Sequence, residues 1–317
     1  MNNSELGEAM AAWGARDPRL IKERENAVYE VALPTGRAAL RLHRVGYQTA
    51  AAIHSELTWM GAIAAAGLSV PSPISTASGE TVVTLSTGRV ATMITWVKGA
   101  PMGASGEPLE GDLPHQEVVF HTVGREVGRL HNVTDALTLP PGFTRHAWDS
   151  EGLLGDTPFW GRFWESPALS GSERTLILKA RVIARDRLLS FQADGGDFGL
   201  IHADILRENV FLDGDKATLI DFDDAGFGFR LYDLATLMSQ NEGEPNYDAL
   251  RDAALAGYRT VRALPEQAAQ LLPMFVMLRR FASMGWIVPR AQPGEDLMQV
   301  YADRAVKAAR RFLDQEA

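Results

Sequence analysis

Residues 200–228, LIHADILRENVFLDGDKATLIDFDDAGFG, set six carboxylates and one carboxamide among strand-forming apolar residues. These are Asp204, Glu208, Asn209, Asp213, Asp215, Asp221 and Asp223, with Asp224 directly following. Like charges beside runs such as Val210-Phe211-Leu212 and Leu219-Ile220 repel and are costly to desolvate. The pattern therefore asks for a compensating positive charge, and a bound metal ion is the first candidate. Val210–Leu212 and Ala217–Ile220 pattern as paired strands around Asp213-Gly214-Asp215-Lys216. With those four residues as the loop, Leu212 faces Ala217 and Asn209 faces Ile220. Asn209 and Asp221 then meet at the open end of the hairpin, both offering the oxygen ligands that Mg²⁺ prefers. Asp204, five residues before Asn209, reaches the same end. The alternative reading is an acidic, solvated hairpin end with no metal.

The spacing His202-x-Asp204-x4-Asn209, with Asp221 twelve residues after the Asn, is one that protein-kinase-like enzymes use. There the Asp orients the acceptor hydroxyl and takes its proton, and the Asn and the later Asp hold Mg²⁺ on the ATP phosphates. The stretch LIHADILRENVFLDGDKATLIDFDDAGFGFRLYDLA resembles the aminoglycoside phosphotransferase family, in particular its homoserine kinase type II and stress-response kinase branches. ENAVYEV is similar to that family's first hairpin strand, VGREVGRLHNVT to the helix opening its C-terminal lobe, and LRRFASMGWIVPR to a late helix. The resemblance runs from about residue 20 to 310. It implies an α+β, bilobal protein-kinase-like fold, with a small β-rich N-terminal lobe and a larger, mainly helical C-terminal lobe. It also implies ATP, Mg²⁺ and phosphorylation of a hydroxyl. Asp204 matches the catalytic base, Asn209 and Asp221 match the metal ligands, and Asp233 in YDLA matches a support of the catalytic loop. The sequence departs from the family at Ala203, where Gly is usual, and at DILREN, where DLHPGN is usual. The second change puts bulky, charged Arg207-Glu208 in place of a small Pro-Gly pair.

The flanking patterns supply the elements such a site needs. Residues 27–31 and 38–43 read as a hairpin about Pro34-Thr35-Gly36, and residues 49–66 as a helix ended by Gly67. Residues 80–86 and 89–96 read as two further strands with a turn at Thr87-Gly88. Residues 98–114 are rich in Gly and Pro and read as a linker, dividing the chain into a nucleotide-binding lobe (1–98) and a catalytic and acceptor-binding lobe (99–317). Helical patterns then dominate, at 115–132, 172–191, 231–241, 246–261 and 265–286.

The first lobe should carry a cation for the ATP phosphates and a helix carboxylate to hold it. In residues 38–43, Leu40 and Leu42 take one face and Ala39 and Arg41 the other. That is a V-A-I-K-like pattern with Arg41 in place of Lys. On the helix, Ile53, Leu57, Met60 and Ile63 form a stripe, and Glu56 falls within it. A carboxylate there needs a partner, and Arg41 is the obvious one, unless Glu56 sits at the stripe's edge and reaches water. No Gly-rich loop precedes these strands. The first turn holds Glu25-Asn26-Ala27, and Asn26 reads either as a phosphate contact or as a plain turn residue.

His202 reads as a packed loop anchor, and His43 and His131 have no constellation around them. Phe159-Trp160 and Phe163-Trp164 have helical spacing and read as core. Asp223 and Asp224 read as metal support, as a face for a cationic acceptor, or as caps of a helix starting near Gly228. In residues 271–288, Arg280 lies at the edge of the Met274, Met277, Phe281, Met284 and Val288 stripe, and Arg279 on the opposite side. Arg280 is thus a candidate clamp for an anionic acceptor such as a hydroxy amino acid, or a side chain with its stem on the core and its head in water.

The chain has 317 residues, 46% hydrophobic and 22% charged, with a formal net charge of −9. This balance argues against a nucleic-acid surface. The absence of cysteine removes thiol nucleophiles, disulfides and Cys-ligated zinc. No apolar run reaches bilayer length, and the first residues do not pattern as a signal peptide, so a cytoplasmic protein without membrane partners is expected. The sequence supports an ATP- and Mg²⁺-dependent phosphotransferase acting on a small-molecule hydroxyl. Two rivals are a protein Ser/Thr kinase of the stress-response type and a non-catalytic nucleotide-binding protein of kinase fold.

Overall fold

The computed structural model of the protein describes residues 3–23, 26–291 and 296–316. Glu25, in the predicted first turn, lies outside them. The chain forms two compact units that interleave in sequence. The first comprises Met1–Met102, Ala136–Arg145 and Val210–Asp223, and the second Gly103–Asp135, His146–Asn209 and Asp224–Ala317. A single boundary at residue 98 thus becomes a boundary near 102 with two later returns to the first unit.

The first unit opens with α1 (Asn3–Trp13) and β1 (Arg16–Glu23), then β2 (Ala27–Leu33), β3 (Gly36–Leu42), α2 (Ala50–Ala65), β4 (Val82–Thr84), β5 (Val90–Thr95) and the two-residue β6 (Ala100–Pro101). Five strands form one antiparallel sheet in the order β1-β2-β3-β5-β4. The predicted hairpin is β2–β3, in register from Ala27↔Leu42 to Leu33↔Gly36. Alternation puts Ala38, Leu40 and Leu42 in the core with Tyr29, Val31 and Met93, and turns Arg41 to the other face. Helix α2 starts where the Thr49 side chain accepts the Ala52 N–H at 3.1 Å, and stops before Gly67 at φ +86°. β1 gives no period-2 signal: all eight of its residues are exposed, it contains Pro18, and it lies at the sheet edge. The predicted linker is not wholly irregular, since β6 pairs with a later strand.

The second unit continues with α3 (Leu113–Asp135), β7 (Ala147–Trp148), α4 (Ser150–Leu154), a 3₁₀ turn (Phe163–Glu165), α5 (Gly171–Ala193) and β8 (Phe198–Ile201). Phe159-Trp160 and Phe163-Trp164 do not share a helix. Gly161, at φ +94°, breaks the backbone between them, although Trp160 and Phe163 are buried. The chain then returns to the first unit with the hairpin β9 (Val210–Asp213) and β10 (Lys216–Leu219), and β6 extends it to three strands. Leu212 pairs with Ala217 as the pattern predicts, but the turn is Gly214-Asp215 alone, because Asp213 and Lys216 also pair.

The remainder belongs to the second unit: β11 (Gly226–Phe229), α6 (Leu231–Ser239), α7 (Tyr247–Arg259), α8 (Glu266–Ala269), α9 (Leu272–Ile287) and α10 (Leu297–Gln315). β11 lies between β7 and β8. The helix expected over 265–286 is therefore two helices. Pro273 sits in the first turn of α9, where its missing N–H costs nothing. α9 is buried on all sides, from Met274 to Gly285 without a break, so an apolar stripe does not mark its inner face. α10 buries Ala302, Ala305, Val306, Ala309 and Phe312 at helical spacing, with Ala308 beside them. Among the described residues, no helix is long and apolar enough to cross a membrane.

Candidate active site

In the first unit, Arg41 meets its predicted partner Glu56 and two further carboxylates. Its Nη2 donates to Asp221 Oδ1 at 2.9 Å, and its Nη1 lies 3.5 Å from Glu56 Oε1 and 3.9 Å from Asp223 Oδ1. Glu56 is 2% exposed, so it does not reach water. A second guanidinium, which the sequence reading missed, backs it. Arg145 Nη1 sits 3.5 Å from Glu56 Oε2, and Arg145 Nη2 donates to the Asp223 carbonyl at 2.5 Å. Residue 145 lies far from any motif, and only the fold brings it here.

Three carboxylates thus surround two guanidinium groups. Burial opposes the Arg41 charge, but Asp221, Asp223 and Glu56 outweigh it and hold the Arg41 pKa above its usual value. Glu56 moves the other way. Burial, with repulsion from Asp223 and Asp221, pushes it up to about 7 against the attraction of Arg145 and Arg41. Arg41 has three acidic neighbours and keeps its proton, whereas Glu56 is the most deeply buried of the three carboxylates.

Asn26 spends its amide on structure. Its Nδ2 donates to Asp223 Oδ2 at 2.9 Å and its Oδ1 accepts the Arg44 N–H at 2.8 Å. The geometry therefore favours Asn26 as a holder of Asp223 over a side-chain phosphate contact. Asp223 and Asp224 cap no helix, because Gly226–Phe229 is strand β11 and α6 has no side-chain cap. The Asp224 carbonyl accepts from His146 Nε2 at 3.0 Å and from Trp148 Nε1 at 2.8 Å.

In the second unit, residues 202–209 form a loop pinned from below by Asp233. Asp233 Oδ2 accepts the His202 N–H at 2.9 Å and Oδ1 accepts the Ala203 N–H at 2.6 Å. His131, to which the sequence assigned no role, completes the anchor. Its Nε2 meets Asp233 Oδ2 at 3.0 Å and its Nδ1 meets the Tyr258 hydroxyl at 2.9 Å. Burial lowers the His131 pKa, and the neutral ring donates from Nε2 and accepts at Nδ1. Burial works against the Asp233 charge, but the hydrogen bond from His131 and those from the loop hold its pKa below normal. His202 is fully buried, and its Nδ1 accepts the Asp204 N–H at 3.3 Å. It has the geometry of a loop anchor.

The Asp204 carboxylate is held on both oxygens. Asn209 Nδ2 donates to Oδ2 at 2.7 Å and to the Asp204 carbonyl at 2.9 Å, and Arg279 Nη2 donates to Oδ1 at 2.6 Å. Arg207, from the unusual DILREN, points away and is 1% exposed. It donates to Asn241 Oδ1 from Nε and Nη2 at 3.0 and 2.6 Å, to Glu244 Oε1 at 2.7 Å and to the Glu107 carbonyl at 2.7 Å. Glu208 accepts from the Ser105 N–H at 2.7 Å and from Gln240 Nε2 at 2.9 Å. The bulky pair therefore ties the loop to the segment around residue 105 and to the end of α6. Arg280 is neither an open clamp nor a solvated head. Its Nε donates to Glu242 Oε2 at 2.7 Å and its Nη2 to the Ser239 carbonyl, and it is buried.

The structure thus brings Arg41, Glu56, Asn26 and Asp221 together in one unit, and Asp204 and Asn209 in the other. Within the first unit, Arg41 is a held cation beside the Asp221 carboxylate, and Asp223 Oδ1 is buried without a hydrogen-bond partner, a donor set whose chemistry suits a divalent cation and phosphate oxygens. A β-rich unit with a braced cation and a helical unit with an H-x-D-x4-N loop define a phosphotransferase with an alcohol group as acceptor, of protein-kinase-like fold.

The chain belongs to the phosphotransferase enzyme family, whose profile matches residues 18–270. The homoserine kinase of Mesorhizobium japonicum is 26% identical over 279 residues, 80% of this chain and 78% of the relative. The structure of a microcompartment-associated aminopropanol kinase superposes with a TM-score of 0.86 at 31% identity, covering 99% of this chain and 98% of that one. The amicoumacin kinase hAmiN, in complex with AMP-PNP, Ca²⁺ and Ami, shares the fold at a TM-score of 0.81 and 18% identity, over 99% and 93% of the two chains.

Proposed function

We propose that the protein transfers the γ-phosphoryl group of ATP, with Mg²⁺, to the hydroxyl of a small amino alcohol. The observation that carries the chemistry is the ordered Asp204 carboxylate, held at both oxygens in an H-x-D-x4-N loop. In this reading Asp204 orients the acceptor hydroxyl and accepts its proton as the acceptor oxygen bonds to the γ-phosphorus and the bond to ADP breaks. Arg41 binds phosphate oxygens, kept in place by Glu56. Asn209 and Asp221 hold the metal, and Asn26 steadies Asp223, two residues from Asp221. Bound Mg²⁺ supplies neutralising charge on the phosphates.

The acceptor class rests on the 31% identity, over nearly the whole chain, to a protein described as an aminopropanol kinase. A hydroxy amino acid such as homoserine is the second reading, favoured by the relatives of that name. It loses its proposed carboxylate clamp, because Arg280 is committed to Glu242 and Ser239. ADP release tests the proposal, with aminopropanol, ethanolamine, choline and homoserine as acceptors, in Mg²⁺ and in EDTA. The expected result is Mg²⁺-dependent turnover fastest with an amino alcohol. Turnover with homoserine alone would move the acceptor to the amino acid class, and ADP release with none of these hydroxyl compounds would sink the kinase reading.

A further inference from the structure

The guanidinium on Asp204 comes from Arg279, in the middle of α9, seventy-five residues further along the chain. Its two arms divide. Nη2 donates to Asp204 Oδ1 at 2.6 Å, and Nη1 donates to the carbonyl of the preceding residue, Ala203, at 3.1 Å. One planar group therefore fixes both the carboxylate and the peptide that carries it. The guanidinium carbon lies 4.8 Å from the centroid of the Trp160 ring, and the side chain is 5% exposed, so it has little freedom to move. Asn209 braces the opposite oxygen at 2.7 Å. The two bonds fall on different carboxylate oxygens, so both ends of the group are fixed.

We infer that Arg279 is a positioning residue, which sets the rotamer of Asp204 and so aims its carboxylate at the acceptor hydroxyl. This rests on the kinase reading of Asp204. A lysine at 279 could not reproduce the fork, because a point ammonium does not hold two acceptors at a fixed angle. A carboxylate free to rotate spends less time in the reactive geometry, and a misplacement of this kind lowers turnover without weakening nucleotide binding.

The test is a kinetic cycle. Arg279→Met and Arg279→Lys are made in the wild-type and Asp204→Asn backgrounds, with kcat and the KM for ATP measured by ADP release and the folded fraction checked by urea unfolding. Arg279→Met should lower kcat by about 10–100-fold while the KM for ATP stays within about twofold, and Arg279→Lys should recover part of the loss. In the Asp204→Asn background the same change should cost nothing further, because no base remains to be aimed. If Arg279→Met does not fold, Arg279→Lys and Arg279→Gln carry the comparison. An unchanged kcat, an equal loss in both backgrounds, or a KM for ATP that rises as kcat falls overturns the role of Arg279 and leaves the kinase reading standing. A folded wild type inactive with every acceptor overturns both, and the pair is then a structural ion pair alone.

Discussion

The Ala203 N–H donates to Asp233 Oδ1 at 2.6 Å, and that bond falls on an alanine held at φ +65°. The left-handed conformation costs an L-residue about 1–2 kcal/mol, and the surroundings have to enforce it. Asp233 does so from one side and Arg279, on the Ala203 carbonyl, from the other. Asp233→Asn turns one acceptor into a donor facing an N–H. We expect a loss of about 1–3 kcal/mol of stability for the unmet buried donor, with turnover falling in step. Urea unfolding followed by circular dichroism reads the first quantity. A wild-type midpoint would show that the loop does not depend on this carboxylate.

Asp204→Asn should leave fold and ATP affinity intact and lower kcat by about 10²–10⁴-fold, the scale of a positioned acid or base. Calorimetry with ATP and a turnover assay are read together. Near-normal kcat would remove Asp204 from the proton transfer.

Asp221 stands at φ +66° and accepts from Arg41 at 2.9 Å. In its proposed role as a metal ligand it should govern the Mg²⁺ dependence of nucleotide binding. Asp221→Asn is expected to abolish turnover and to remove most of the difference between ATP affinities measured with and without Mg²⁺. Equal enhancement by Mg²⁺ in variant and wild type would count against the assignment.

The Arg207 guanidinium is buried, and its bonds to Asn241, Glu244 and the Glu107 carbonyl lie inside the second unit. Arg207→Met leaves Glu244 and the Glu107 carbonyl without their partner. The expected cost is about 3–5 kcal/mol, that of breaking a buried pair by removing one side, visible in the urea midpoint. A shift under about 0.5 kcal/mol, as at an ordinary surface position, would make the unusual loop sequence structurally neutral.

His43 is buried, with Nε2 2.9 Å from Thr92 Oγ1. Burial, with the Arg41 charge, keeps its pKa well below the usual 6.5, and His131 is shifted the same way. The folded protein therefore binds fewer protons than the unfolded chain below pH 6.5. The stability due to these groups is complete above that pH and is lost as pH falls towards their folded values. Glu56, raised to about 7, works in the opposite direction, since it favours the folded state more as pH falls through that range. A comparison isolates the histidine: His43→Gln should lose less unfolding free energy than wild type between pH 7.5 and 5.5, values chosen to bracket the usual histidine pKa of about 6.5. Parallel pH profiles would mean that His43 is not held neutral by the fold.

Much of this was legible in the sequence because the signals are local. The H-x-D-x4-N spacing, the period-2 run placing Arg41 opposite Leu40 and Leu42, and the helix carrying Glu56 need only strand and helix geometry. The Leu212–Ala217 pairing followed from centring the turn between Gly214 and Asp215, which holds although the loop is two residues rather than four. Strand β1 gave a weak signal, since it is an exposed, charged edge; helix α10 carried a readable one in the spacing of Ala302, Ala305, Val306, Ala309 and Phe312, which the sequence reading passed over. The split of residues 265–286 was available in Pro273.

The sequence by itself determined the chemistry, since the types and spacing of Asp204, Asn209 and Asp221 are properties of short segments. Tertiary structure decided which cations and anchors serve them. Arg145 reaches Glu56 from eighty-nine residues away, His131 reaches Asp233 from 102, and Arg279 reaches Asp204 from seventy-five. Periodicity assigned Arg279 to the side of α9 facing away from the stripe. That reasoning presumes a helix with one wet face, and α9 has none over its middle turns. In a helix buried all round, a guanidinium needs an internal anion wherever it points, and only the packing of the other chain segments reveals which anion it meets.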